Sequence, residues 1–359
     1  MVRGSADFNR NNLDCLRLIF ASIVMLFHLY ALSLMPAFSV LDHYLSAGFA
    51  VKSFFVISGL LVYRSYTRSS SLSSYLEKRA RRIYPAYFTI VTLAAVSLCS
   101  LSSLPISQYF GAGFWKYLVA NLLFLNFLAP SLPGVFTNND ISAVNGALWT
   151  LKIEVAFYLC VPIIHRVCRR FGTKKVIGII LFFSCAWKYG FAYLAYIYPS
   201  RVIYTVGGAH NIYAKMEAQF PSQLVYFCAG ILLLLYFDWL KNYFVTISCI
   251  TAILYVLDHF FLGGALDVLW ISGLIFVFGF WRYVGNFSKY GDFSYGVYIV
   301  HFPILQIMIV LGLTRLHPAI FLSFCLFCVG LTAFLLWHLV EKRFLANSSH
   351  YRQATLKTH

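Results

Sequence analysis

The sequence predicts an all-α, polytopic membrane bundle of about ten transmembrane helices, and three observations carry that prediction. The first is composition: of 359 residues, 60% are hydrophobic and 11% charged, with a mean hydropathy of +0.75. An ordinary soluble domain holds about 45–50% apolar and about 25% charged residues. The second is a succession of apolar runs near the ~20 residues that span a bilayer. The third is the clustering of Lys and Arg in a few short loops, the signature of the cytoplasmic face. An ordinary cytosolic enzyme is excluded, and so is disorder, which requires low hydrophobicity. The formal charge of +16 fits nucleic acid poorly in so apolar a chain, so membrane lipid is the expected partner and nucleic acid is not.

The apolar runs fall at 13–34, 45–63, 84–104, 147–166, 176–197, 222–237, 243–262, 265–282, 293–313 and 319–339. The first lacks a short core followed by a small-residue cleavage site, so it reads as a retained span rather than a signal peptide. An eleventh run, 115–128, is of the length that is more often interfacial or re-entrant. Parity decides it. One basic loop holds Arg64, Arg68, Lys78, Arg79, Arg81 and Arg82, and another holds Arg166, Arg169, Arg170, Lys174 and Lys175. Both belong inside, so an even number of crossings separates them, and 84–104 with 147–166 already supplies two. The segment 115–128 is therefore expected to stay on the outer side. Both termini are then cytoplasmic, and 20 of the 28 Lys and Arg lie inside. The expected organisation is a membrane domain over 1–340 and a short cytoplasmic tail over 341–359. The nine cysteines are scattered mostly within spans, against a disulfide framework. Cys325-x-x-Cys328 lies mid-span without His or acidic neighbours and reads as small buried hydrophobes, so no metal is expected.

Charged groups within spans are costly and mark function by default. The first span carries Asp14, Arg17 and His28. Eleven residues separate Arg17 from His28, about 16.5 Å of rise and about 20° of rotation, so both share one helix face at different depths. Arg17 lies near the cytoplasmic end, where snorkelling is the alternative. His28 lies about 9 Å short of the outer end, where a neutral His bonded to a neighbouring helix is the alternative. Glu154, in Trp149-Thr-Leu-Lys-Ile-Glu-Val-Ala-Phe-Tyr158, is about 10 Å deep from the outer side. A His and a carboxylate at one level suggest a general base with its orienting partner; a structural pair with Lys152 is the alternative. His301, in Ser294-Tyr-Gly-Val-Tyr-Ile-Val-His301-Phe-Pro, is followed by Pro303, which frees a backbone carbonyl and kinks the helix there. Tyr298 and His301 are thus a candidate substrate wall, or a kinked helix with a buried, bonded His. Lys188, among aromatics, is expected to snorkel or make a cation–π contact. In the loop Leu76-Glu-Lys-Arg-Ala-Arg-Arg-Ile-Tyr-Pro85, the cations fit topology or anionic lipid. The sharper reading is a phosphate site, because Arg offers phosphate a planar fork.

Together these residues resemble the acyltransferase 3 family of multi-pass membrane acyltransferases, which decorate bacterial surface polysaccharides, peptidoglycan, Nod factors and macrolides. The motifs are Arg17-x10-His28, Phe54-Phe-Val-Ile-Ser-Gly-Leu60, Arg79-x-x-Arg82-Ile-x-Pro85, Trp149-x-Leu-x-x-Glu154-x-x-Phe-Tyr158 and Ser294-Tyr-x-x-Tyr298-x-x-His301-x-Pro303. They occur in the family's order from residue 14 to about 303. Each is weak alone, and the set is specific. The resemblance implies acetyl-CoA as cytoplasmic donor and a sugar hydroxyl of a surface polysaccharide or lipid-linked sugar as outer acceptor, in a bacterial inner membrane. It carries over Arg79 and Arg82 as the cytoplasmic arginine motif, Arg17 and His28 as the intramembrane pair, and Glu154 as the motif glutamate. Arg81 joins the donor site on charge alone.

Two departures matter. Some members carry an Asp one turn after the intramembrane His, where this chain has Ala31, so Glu154 or another group must orient His28. Some also append an extracytoplasmic hydrolase-like domain, whereas this sequence ends about twenty residues after its last span, which leaves acceptor transfer to the membrane domain or a separate partner. The expected mechanism docks the acetyl-CoA phosphates on Arg79, Arg81 and Arg82, with the thioester near Arg17. His28 then acts as general base and Glu154 stabilises the imidazolium. The rival from another class is a transporter or flippase of lipid-linked sugars, with His, Glu and Arg as proton-coupling groups; a non-catalytic scaffold leaves those charges unexplained.

Overall fold

Helix direction alternates down the chain. The computed structural model describes residues 8, 10–205, 208–285, 287–289 and 291–345. We number its main helices α1 (Leu13–Ser33), α2 (Ala47–Thr67), α3 (Leu72–Ser97), α4 (Ala112–Leu122), α5 (Trp149–Phe171), α6 (Thr173–Ile197), α7 (Phe220–Leu235), α8 (Phe244–Leu257), α9 (Asp267–Phe280), α10 (Phe293–Val310) and α11 (Pro318–Leu336). Among the described residues nine helical stretches are long and apolar enough to cross a membrane, and α9 is a shorter apolar tenth. The protein is a multi-pass membrane helical bundle.

Side-chain contacts fix which ends lie together. Tyr63 Oη meets His165 Nδ1 at 3.0 Å, joining the end of α2 to that of α5. Asn12 N donates to Gly279 O at 2.8 Å, joining the start of α1 to the end of α9. Arg17 and Arg82 meet Asp292 at the start of α10, and Arg82 meets Glu341 beyond α11. We call this the basic end. The helix α3 leaves it and α5 returns to it, so everything between them, including α4, lies at the far end. Eleven residues of α4 rise only about 16.5 Å, too short to cross. It is held by Tyr87 Oη donating to Asn121 O at 2.6 Å and by Tyr87 stacked on Phe124. A two-stranded antiparallel hairpin, β1 (Val202–Thr205) with β2 (Gly208–Asn211), joins α6 to α7 at the far end.

Three boundaries differ from the sequence expectation. The stretch 72–83, expected as a loop, is the first half of α3. Ser71 Oγ caps it by accepting from Ser74 N at 3.1 Å, and Leu, Glu, Lys, Arg and Ala are strong helix formers. The last span also runs past its expected end at 339: α11 continues through a π turn at Trp337–Glu341 into Lys342–Phe344. Most of the expected tail, 346–359, lies outside the described residues. Finally, α9 has 14 residues, about 21 Å of rise against a core of about 30 Å, so Asp267 starts it inside the bundle.

Packing positions the site. At the α2–α7 crossing, a Cβ on Gly59 would lie 2.0 Å from Phe227 O, and one on Gly230 would lie 2.0 Å from Val56 O. Only glycine permits this backbone approach, the small-residue logic of helix pairing in lipid. Two helix-interior prolines, Pro162 and Pro303, leave carbonyls that side chains from other elements satisfy. Ile299 O, one turn before Pro303, accepts from Asn145 Nδ2 at 2.8 Å, and Tyr158 O, one turn before Pro162, accepts from Tyr75 Oη at 3.0 Å.

Candidate active site: two cavities with a shared wall

Two cavities open toward opposite ends of the bundle. The larger, about 520 Å³, is bounded by α1, α2, α3, α5 and α10. Toward the basic end its wall carries Arg17, Arg68, Lys78, Arg79 and Arg82; deeper in, Val51, Phe54 and Tyr298. The smaller, about 250 Å³, is lined by His28, Lys52, Trp149, Glu217 and Gln223 toward the far end. Val51 and Tyr298 line both, so they form the wall between them. Tyr298 is fixed there by its hydroxyl, 2.7 Å from Thr150 Oγ1 and 3.2 Å from Ala147 O.

In the basic cavity, Asp292 organises the arginines. It caps α10, accepting from Ser294 N at 3.2 Å, and it also accepts from Arg17 Nη1 at 2.5 Å and from Arg82. The second nitrogen of Arg82, Nη1, reaches Glu341 Oε2 at 3.2 Å. Two buried carboxylates thus hold two guanidiniums at the cavity wall, where a buried charge needs both a partner and hydrogen bonds. Arg79, one turn from Arg82 on α3, lies over the Tyr158 ring at 5.7 Å, and its Nε has no partner among the described residues. Ser58 Oγ, on the same cavity, is likewise unpartnered. Unmet buried donors facing a cavity are what a polar ligand satisfies.

Arg81 lies elsewhere. At 100° per residue it is turned about 100° from Arg82 and about 200° from Arg79. It pairs at the surface with Glu77 at 2.7 Å, both side chains about half exposed. It does not line the cavity, and charge counting alone had grouped it with its neighbours.

His28 and Glu154 do not meet. Thr150, Glu154 and Tyr158 recur every four residues on one face of α5, and that face lines the basic cavity. Glu154 Oε1 accepts from Tyr158 Oη at 2.6 Å. The two groups lie at different depths: Thr150 meets Tyr298, with Glu154 one turn nearer the basic end on α5, whereas His28 meets His301, three residues further toward the far end on α10. The partner of His28 is His301: Nδ1 of His28 lies 3.0 Å from Nε2 of His301, with the rings stacked 5.1 Å apart. His301 Nδ1 lies 3.0 Å from Val297 O. A carbonyl oxygen only accepts, so His301 carries its proton on Nδ1 and its neutral ring accepts at Nε2. His28 therefore donates from Nδ1 and keeps an unprotonated Nε2. The chain Val297–His301–His28 sets the tautomer of a ring on the smaller cavity.

Known proteins place these motifs in a family. The acyltransferase domain of the acyltransferase 3 type matches residues 10–339. The chain belongs to the acyltransferase 3 family. An O-acetyl transferase of Shigella phage Sf6 is 28% identical over 351 residues, covering 94% of this chain and 97% of that protein. Nodulation protein 10 of Rhizobium leguminosarum bv. viciae is 26% identical over 329 residues, 85% of each chain. The acyltransferase MdmB of Streptomyces mycarofaciens is 30% identical over 129 residues, covering 35% of this chain and 30% of that protein. No solved structure matches.

Within this acyltransferase 3 domain, the five motif segments converge on the two cavities. Arg17, Arg79, Arg82 and Glu154 share the larger, His28 lines the smaller, His301 backs His28, and Tyr298 separates the two. Sequence reasoning missed Asp292, Glu341 and Arg68 as site residues, whereas Lys78 belongs to the cationic stretch read as a phosphate site. The signal for Asp292 was an Asp-x-Ser start directly ahead of the Ser294 motif. Lys188 does not snorkel: it is buried and paired with Asp267 at 2.6 Å, while the expected cation–π contact with Tyr189 is present at 4.6 Å. Lys152 bonds Gln219 at 3.1 Å rather than Glu154.

Proposed function

We propose that this membrane acyltransferase moves an acetyl group from cytoplasmic acetyl-CoA to a sugar hydroxyl of a bacterial cell-surface polysaccharide or its lipid-linked precursor, on the outer side of the inner membrane. The observation that carries the reading is the pair of cavities entering from opposite ends and sharing the Val51–Tyr298 wall. The concentration of Lys and Arg at one end supports assigning that end to the cytoplasm. The acyltransferase domain and the relatives named O-acetyl transferase and acyltransferase MdmB support acyl transfer and, for the O-acetyl transferase, acetyl.

The basic cavity suits the donor. Its volume falls in the range of about 300–1,000 Å³ typical of ligand sites. Arg68, Lys78, Arg79 and Arg82 face the charge of the CoA phosphates, and Phe54, Ile57 and Leu61 offer an apolar path for the pantetheine arm toward the wall. The buried Nε of Arg79 and Oγ of Ser58 supply donors that such an arm or its phosphates would satisfy.

In the reaction, Nε2 of His28 removes the proton from the acceptor hydroxyl as its oxygen attacks the thioester carbonyl. The C–O bond forms, the C–S bond breaks, and the departing CoA thiolate takes the proton from the imidazolium. His301 holds His28 in the tautomer that leaves Nε2 basic. General base catalysis of this kind contributes about 10²–10⁴-fold. The test is to incubate membranes containing the protein with radiolabelled acetyl-CoA and surface polysaccharide: label on the glycan supports transfer, and label on no glycan overturns it.

A further inference from the structure

Four ionisable groups beside the smaller cavity take no part in the chemistry above. Asp267, at the inset start of α9, receives Lys188 at 2.6 Å, Lys52 at 2.8 Å and the Tyr226 hydroxyl at 2.7 Å. The Lys188–Asp267 pair is complete in itself, both side chains 5–6% exposed. Lys52 is the surplus: its side chain is 31% exposed and lines the His28 cavity. Across that cavity stands Glu217, at the end of the short helix Ile212–Glu217, with no hydrogen bond or ion pair to any described residue. Lys52 and Glu217 do not pair with each other within 4.0 Å. The four charges therefore sum to zero, yet one cation and one carboxylate are left facing the same small space.

We infer that the His28 cavity is a subsite for one neutral sugar ring of the acceptor, gripped between the Lys52 ammonium and the Glu217 carboxylate and packed on Trp149. This deepens the acyl-transfer reading and rests on it for the identity of the acceptor. A neutral ring with adjacent hydroxyls both donates and accepts, so it bridges the two charges without a net charge of its own. An ammonium has three donors, and Asp267 takes one from Lys52, leaving the others for ligand oxygens. Trp149 supplies the flat apolar face against which a ring's C–H surface packs. Gln223, on the same wall, adds a donor and an acceptor. Size sets the limit: about 250 Å³ is below the range for drug-sized ligands, ~300–1,000 Å³, so one ring enters and the rest of the glycan stays outside. An anionic sugar would meet the Glu217 carboxylate, and like charges at close quarters repel.

The test uses the purified full-length protein in nanodiscs with methyl glycosides of neutral hexoses and 6-deoxyhexoses, and methyl glucuronide as the anionic counterpart. Binding is read as ligand-induced thermal stabilisation, which needs no turnover, and transfer as label from acetyl-CoA. A neutral glycoside is expected to stabilise the wild type, with binding weakened at least about tenfold in Lys52→Met and in Glu217→Gln, the loss of one charge-assisted hydrogen bond. The KM for acetyl-CoA should stay unchanged in both. Lys52→Met leaves the Lys188–Asp267 pair intact, and Lys52→Arg, which keeps the charge, should restore part of the binding. The inference is overturned if no neutral glycoside stabilises the wild type, if both variants bind like the wild type, or if the glucuronide binds best. Glycosides that bind but acquire no label would sink acyl transfer and leave the subsite standing.

Discussion

The two cavities differ in how they hold charge. In the basic cavity, five cations line the wall with one carboxylate, Glu154, which accepts from Tyr158, while Asp292 and Glu341 behind the wall orient Arg17 and Arg82. In the His28 cavity, one ammonium and one carboxylate balance, and the His28 ring is held through His301 to Val297 O. An excess of fixed cations selects an anionic ligand and raises its local concentration. A balanced pair around an imidazole selects polarity without charge. On the function proposed above, the difference would separate a donor recognised by its phosphates from an acceptor recognised by its hydroxyls, on two sides of the wall that Val51 and Tyr298 form.

The comparison breaks most sharply at His28. His28→Ala should cut transfer about 10²–10⁴-fold while the KM for acetyl-CoA and the amount of protein in the membrane stay unchanged; a KM effect on the donor would merge the two cavities. Next comes Asp292→Asn, which leaves Arg17 and Arg82 sharing a neutral partner. Breaking a buried ion network by removing one member costs about 3–5 kcal/mol, so the melting temperature in detergent should fall, together with donor affinity. His301→Ala should give a smaller rate loss, about tenfold to a hundredfold, less than removal of the base itself, with both KM values near normal. Arg79→Ala should raise the KM for acetyl-CoA about tenfold, the worth of one charge-assisted hydrogen bond, and leave acceptor KM alone. The smallest effect belongs to Arg81→Ala, since a surface i,i+4 pair contributes about 0.3–0.5 kcal/mol; stability and donor KM should both stay within about twofold of wild type. A large donor effect there would return Arg81 to the phosphate site.

The fold was legible because hydropathy and loop charge are one-dimensional signals. Ten runs, the parity of the two basic loops and the outer placement of 115–128 all follow from counting along the chain, and the helix ends confirm that alternation. Depth along one helix was equally legible: the 11-residue spacing put Arg17 and His28 on one face of α1, and they reach cavities at opposite ends. Depth between helices was not: Glu154 stands one turn nearer the basic end than the Thr150–Tyr298 contact, and His28 meets His301 beyond it, because counting from the end of a span does not state how far its neighbour is shifted along the axis. Azimuth was not legible either. The same blindness grouped Arg81 with Arg79 and Arg82, which helical phase separates once 72–83 is known to be helix rather than loop. Asp292 and Asp267 escaped notice because both stand at helix starts, where an acid reads as an ordinary cap. Each is in fact the counter-charge for two cations from other helices.

The Val51–Tyr298 wall has an electrical consequence. Polar vestibules entering from both ends shorten the insulating path through the bundle, so the membrane potential falls mainly across that thin septum. Moving one elementary charge through 100 mV is worth about 2.3 kcal/mol. Any step that displaces charge between the two vestibules is therefore expected to feel the membrane voltage, and Tyr298, held by Thr150 and Ala147, is the residue that such a step has to pass.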